Sequence, residues 1–135
     1  MKIVLDTNVL ISGIFFTGIP SRILAAWADG DFELLATLEI LTEYHRVAER
    51  LHAQFPTVDV KPVLDLVTRE IRIVEPAPVP LSACDDPDDL KFLAGALSGQ
   101  ADCIVTGDRA LRRSSGFQGI EVLTPREFSQ RHLGR

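Results

Sequence analysis

The chain has 135 residues, 46% hydrophobic and 24% charged, enough to bury a sizeable core in one globular domain, which excludes a disordered protein. A net charge of −5 argues against a nucleic-acid coat protein, which would be basic, but not against an enzyme that meets phosphate through a few local Arg residues. No apolar run is long enough to span a bilayer, Lys2 leads into a strand ending in Asp6 rather than a signal peptide, and the lone Cys84 and Cys103 have no metal or redox spacing, as expected for a reducing cytoplasm.

Lys2-Ile3-Val4-Leu5 is apolar, β-branched and too short for a helix, so it predicts a buried strand. The strand stops at Asp6-Thr7-Asn8, a polar, turn-prone step that puts a carboxylate at the strand's carboxyl end. That edge of an open α/β sheet is where sites form. Val9-Leu10-Ile11 and Ile14-Phe15-Phe16 predict a first helix, broken near residues 17–20. Ser21 is expected to cap a second helix with Ile23, Leu24 and Trp27 inward, closed by Gly30. Residues 32–36 read as a strand.

Thr37 opens a helix to about Leu51, with Ile40, Tyr44, Val47 and Leu51 on its core face and Glu39, Thr42, Arg46, Glu49 and Arg50 on its wet face. Glu43 lies on the flank between the two. A helix over residues 63–70 and a short strand over 71–74 follow, and Pro76, Pro78 and Pro80 make a stiff, extended connection. Asp86 is placed to cap a helix with Pro87 in its first position, running to about Leu97 and ended by Gly99. Cys103-Ile104-Val105 is a strand leading into Thr106-Gly107-Asp108, and Arg109 to Arg113 is a short helix. Gly107 suggests a positive φ or a close approach. Residues 120–123 form a last strand, and Thr124-Pro125-Arg126-Glu127 opens the final helix as a capping box. This alternation implies crossover units and a parallel sheet.

Four acids stand out, each with a structural role it could fill instead. Asp6 and Asp108 follow strands and can cap the helices after them. Glu43 could be solvated like most helical Glu residues. Helical geometry puts Asp88 on the arc of Lys91, Gly95 and Ser98, the polar side, and Asp89 on the arc of Phe92, Leu93 and Ala96, the packed side. Asp89 could also complete a capping box with Asp86. Taken together, carboxylates gathered at one sheet edge would repel one another and demand a counter-cation. Hard oxygen ligands select Mg²⁺ or Mn²⁺, which suits attack of water on a phosphodiester. His45, His52 and His132 are scattered, which argues against zinc.

The segments Ile3-Val4-Leu5-Asp6-Thr7-Asn8, Asp85-Asp86-Pro87-Asp88-Asp89-Leu90-Lys91-Phe92-Leu93 and Ala101-Asp102-Cys103-Ile104-Val105-Thr106-Gly107-Asp108, with Glu43 between them, resemble the PIN-domain family of metal-dependent ribonucleases over nearly the whole chain. The Asp-Pro-Asp-Asp-x-Lys-Phe-Leu segment looks like the subgroup of toxins in type II toxin–antitoxin pairs, related to VapC-type toxins. The resemblance implies a single domain over residues 1–135, a three-layer α/β/α sandwich with a central parallel sheet, and an acidic Mg²⁺ or Mn²⁺ pocket. It makes Asp6, Glu43, Asp89 and Asp108 the catalytic acids, with Asp6, Asp89 and Asp108 as metal ligands and Glu43 a looser match that binds through water or orients it. Asp86 competes with Asp89 for the third place. Asn8 and Thr106 match polar rim positions. Arg109, Arg112 and Arg113 are candidates to hold RNA phosphates. The resemblance further implies a homodimer and a cognate antitoxin, and Val9, Leu10, Ile14, Phe15 and Phe16 read first as core and second as dimer surface.

Two other classes compete. A catalytically weak PIN-fold module that binds RNA or protein would share the fold without cutting. A phosphatase of the haloacid-dehalogenase type also uses a strand-end Asp, but wants a second Asp two residues on, where this chain has Asn8.

Overall fold

The computed structural model describes residues 1–134. Five strands, β1 (Lys2–Leu5), β2 (Glu33–Ala36), β3 (Arg72–Ile73), β4 (Cys103–Val105) and β5 (Glu121–Leu123), form one parallel sheet in the order β3-β2-β1-β4-β5. The helices are α1 (Thr7–Phe15), α2 (Ile19–Ala28), α3 (Leu38–Gln54), α4 (Lys61–Glu70), α5 (Leu90–Gly99), α6 (Arg109–Arg112) and α7 (Pro125–His132). The chain winds outward from β1 to β3, then returns to build β4 and β5 on the other side. With right-handed crossovers, that reversal sends α1 to α4 to one face and α5 and α6 to the other. The expected α/β sandwich is therefore present.

β1 is central, and Ile3, Val4 and Leu5 are fully buried, as a strand covered on both faces requires. Its register with β4 pairs Leu5 with Val105, so the residues just beyond, Asp6 and Thr106, emerge side by side. This is the sheet's switch point, where connections leave in opposite directions and a crevice opens.

Several local expectations change. α2 starts at Ile19 with Gly18 as its N-cap and Pro20 in the first turn, so Ser21 caps nothing. α5 starts three residues later than its sequence suggests. Pro87–Asp89 is a separate 3₁₀ turn, capped by Asp86 through the Asp88 N–H at 3.0 Å. Gly99 does not end α5 by adopting a left-handed backbone; Gln100 does, at φ 55°. Gly99 is small for another reason, since a Cβ there would lie 2.5 Å from Leu35 Cδ1. Gly107 has neither positive φ nor a close neighbour, and a Cβ there would meet open space. The capping box forms as read, with Thr124 and Glu127 exchanging bonds of 2.9 and 3.1 Å.

The arc of α5 expected to be wet is partly closed. Gly95 is buried, and α3 approaches it so closely that a Cβ would sit 3.3 Å from Ile40 Cδ1 and Thr37 Cγ2. Val9, Leu10 and Phe15 are core, whereas Phe16 is half exposed and packs edge-on against Phe55 at 5.6 Å. Among the described residues no single helix is long and apolar enough to cross a membrane; α1 and α2 pass only as a pair bent by 92°, with Leu10 and Ile23 fully buried. Cys84 and Cys103 are both free and buried.

Tyr44 connects α3 to β1. Its fully buried hydroxyl donates to the Leu5 carbonyl at 2.6 Å, one residue before Asp6. Burial drives the Tyr44 hydroxyl well above its ordinary pKa, with the charges of Asp6 and Glu43 adding to the effect, so it stays a donor at any working pH. Tyr44→Phe is expected to cost about 1–2 kcal/mol by orphaning a buried carbonyl. Differential scanning calorimetry should show a melting temperature lowered by several degrees, with the cooperative transition kept.

Candidate functional site

The carboxyl edge of β1 and β4 carries the acids. Asp6 occupies the N-cap position of α1 but makes no capping hydrogen bond; its Oδ2 accepts instead from the Thr106 hydroxyl at 2.5 Å. The Thr106 Oγ1 also accepts the Asp108 N–H at 3.0 Å. One buried hydroxyl therefore ties the acid after β1 to the loop that carries the acid after β4. Thr106 is fully buried, so it lies beneath the acids and not at the rim where the sequence put it. Asn8, the other rim position, is exposed.

Asp86, Asp89 and Asp108 form a tripod, with one carboxylate oxygen from each within 4.8 Å of the others. Asp89 is buried and its Oδ2 has no hydrogen-bond partner in the protein. It makes no capping box with Asp86; Asp86 serves its own turn through the Asp88 N–H. Asp108 caps α6 through the Ala110 N–H at a long 3.3 Å and keeps its place in the tripod. The sequence had offered Asp86 as a rival to Asp89; the structure brings both together. A buried carboxylate oxygen without a donor, facing two further carboxylates, is a site that fits a hard divalent cation.

The proton affinities follow from this crowding. Burial raises Asp89 to about 8, helped by its hydrogen bond with Asp108 and the charges of Asp108, Asp6 and Asp86. Asp108 is lowered, first by that same bond from Asp89. Crowding therefore favours a proton on Asp89 and a charged Asp108. Asp6 is raised by burial and by Asp108, with the Thr106 bond and the Asn8 and Thr7 N–H dipoles opposing.

Glu43 is placed differently. Burial pulls its carboxyl up, but Lys91, Thr7 and Arg46 outweigh that and hold it below its ordinary value. Its Oε1 meets Lys91 Nζ at 2.8 Å and Arg46 Nη2 at 3.4 Å, and its Oε2 accepts from the Thr7 hydroxyl. It lines a recess of about 560 Å³ with Arg46, Asp88 and Lys91, to one side of the tripod. Sequence reasoning missed Lys91, assigning it to solvent; the signal lay in Gly95, four residues on, which lets α3 cover that arc.

Arg109, Arg112 and Arg113 line a further recess of about 400 Å³ with Val122 and Glu127, on the helix that Asp108 caps. Arg113 also pairs with Asp85 at 2.8 Å, an exposed contact that water screens.

A family model described as the PIN domain matches residues 2–110. The chain belongs to the PIN-domain family. PIN domains are generally metal-dependent nucleases, and the tripod is compatible with metal binding. No curated protein matches the chain.

The contribution of Asp89 to the stability of the metal-free domain should fade in alkali. Asp89, raised in the folded state above its unfolded value near 4, binds more protons folded than unfolded across the window up to about 8. Its contribution to stability is complete below that window and is lost as pH rises through it. Asp89→Asn, permanently neutral, is expected to raise the metal-free melting temperature more at pH 8 than at pH 5. Mn²⁺ affinity of the parent should climb over the same window, because the ion displaces the proton. Melting curves and titration calorimetry at both pH values read these outcomes.

Proposed function

We propose that this PIN domain is a metal-dependent endoribonuclease that hydrolyses phosphodiester bonds of single-stranded RNA, acting as the toxin of a toxin–antitoxin pair. The observation that carries this reading is the orphaned Asp89 oxygen in the tripod, beside Asp6 at the switch point. Asp86, Asp89 and Asp108, with Asp6 next to them, would hold Mg²⁺ or Mn²⁺. A bound divalent cation supplies Lewis-acid activation of water and neutralises charge developing on the phosphate.

The rest is the work of this chain's side chains. Thr106 fixes the Asp6 carboxylate, so that its orientation is set before substrate arrives. Asp89 gives up its proton as the site loads. Arg109, Arg112 and Arg113 take the RNA backbone through phosphate contacts, which position the strand without reading its bases. The open space above Gly107 leaves room for a strand to lie across the acids. The half-exposed Phe16 and Phe55 offer one apolar patch to a homodimer, and the antitoxin and the cytoplasmic setting belong to the same reading.

The alternative, a PIN-fold module that binds without cutting, is separated from this by one assay. The parent protein with Mn²⁺ should cleave single-stranded RNA and lose activity with EDTA. Asp6→Asn and Asp89→Asn are each expected to slow cleavage by about 100-fold or more, since even groups that merely support metal ligands carry 10- to 100-fold effects. Cleavage by Asp6→Asn at the parent rate would end the nuclease assignment.

A further inference from the structure

Glu43 and Lys91 form the best-shielded ion pair among the described residues, with side-chain exposures of 17% and 13%, against 68% for Arg46. The pair is poorly screened, unlike the Arg46 contact beside it. Among the described residues it alone links the segments after Asp6 and Asp89. Glu43 on α3 accepts from Thr7, the residue after Asp6, and from Lys91, two residues after Asp89. Both its oxygens are engaged, Oε1 by Lys91 and Arg46 and Oε2 by Thr7. Lys91 Nζ is steadied from below, 5.6 Å from the centroid of the buried Phe92 ring. The contact exists because Gly95 admits α3 to this side of α5.

Resting on the metal-centre reading, we infer that Lys91 is a positioning residue: through Glu43 it braces Thr7 against α5 and so sets the distance between Asp6 and the Asp86–Asp89–Asp108 tripod. Glu43 is then a strut between two ligand-bearing segments. Charge alone argues the opposite outcome for Lys91. A cation beside an acidic cluster repels a dication, so its removal should tighten metal binding if it does nothing else. The sign of the effect therefore decides.

The test is Mn²⁺ titration calorimetry on the full chain, with folding of each variant checked by circular dichroism. Lys91→Met is expected to weaken Mn²⁺ binding by about 10-fold or more, in the range seen when a ligand's supporting partner is lost. Lys91→Arg, which keeps charge and reach, should restore it. Lys91→Met added to Glu43→Gln should change nothing further, because the strut is already cut. In RNA cleavage, Lys91→Met should lower kcat and leave KM unchanged. Mn²⁺ binding by Lys91→Met as tight as the parent's, or tighter, would overturn the inference and leave Lys91 a mere counter-ion. A raised KM that persists in the Glu43→Gln background would overturn it in favour of a phosphate contact. If Lys91→Met does not fold, Lys91→Gln replaces it under the same criteria. A parent protein that binds no Mn²⁺ would defeat the nuclease reading itself, a result distinct from any change among Lys91 variants.

Discussion

Carboxylates brought within a few ångströms of each other, partly out of water, must shed charge or find a cation. The register of β1 with β4 imposes that constraint on this domain. Because Leu5 stands opposite Val105, Asp6 and the loop to Asp108 leave the sheet together, and the turn at residues 86–89 adds Asp86 and Asp89 to the same edge. Without an ion, the raised proton affinity of Asp89 and the lowered one of Asp108 are what this repulsion produces. A site in this condition is primed to exchange a proton for a metal, and neither hydrophobic burial nor backbone pairing would favour so costly an arrangement for its own sake.

The surrounding contacts make sense as restraints on that repulsion. Tyr44 holds the Leu5 carbonyl, Thr106 holds Asp6 and the Asp108 N–H, and Glu43 spans from Thr7 to Lys91. Tyr44 and Thr106 act from fully buried positions, and Glu43 and Lys91 from half-buried ones at the wall of a recess. They anchor the ends of elements, where the backbone would otherwise be free to splay the acids apart. Rigid support from strands and helix ends gives more exact placement of a site than loops would.

The sheet and the acids were legible because both rest on local pattern. A β-branched run ending in Asp, and a helix start that puts Asp89 on the arc of Phe92 and Leu93, need no knowledge of the rest of the chain. What the pattern could not reveal depends on contacts distant in sequence. Lys91 looks solvent-facing on α5 alone and becomes shielded only when α3 docks at Gly95. Thr106 reads as rim until its register with Asp6 buries it. Gly99 mimics a helix stop, but its size is required by Leu35 on the neighbouring strand. In each case tertiary packing changed the meaning of a residue whose local reading was sound.

The acidity of the whole chain is compatible with the nuclease reading proposed above. The site acids Asp6, Asp86, Asp89 and Asp108 account for most of the net charge of −5, and they are the groups that cations would neutralise. Arg109 and Arg112 on α6 and Arg113 just after it add three cations close to Asp108. A uniformly basic domain would grip RNA everywhere, and much of that binding would be unproductive. On the proposed reading, a few cations next to the acidic tripod would instead tie attraction for the strand to the place of cleavage.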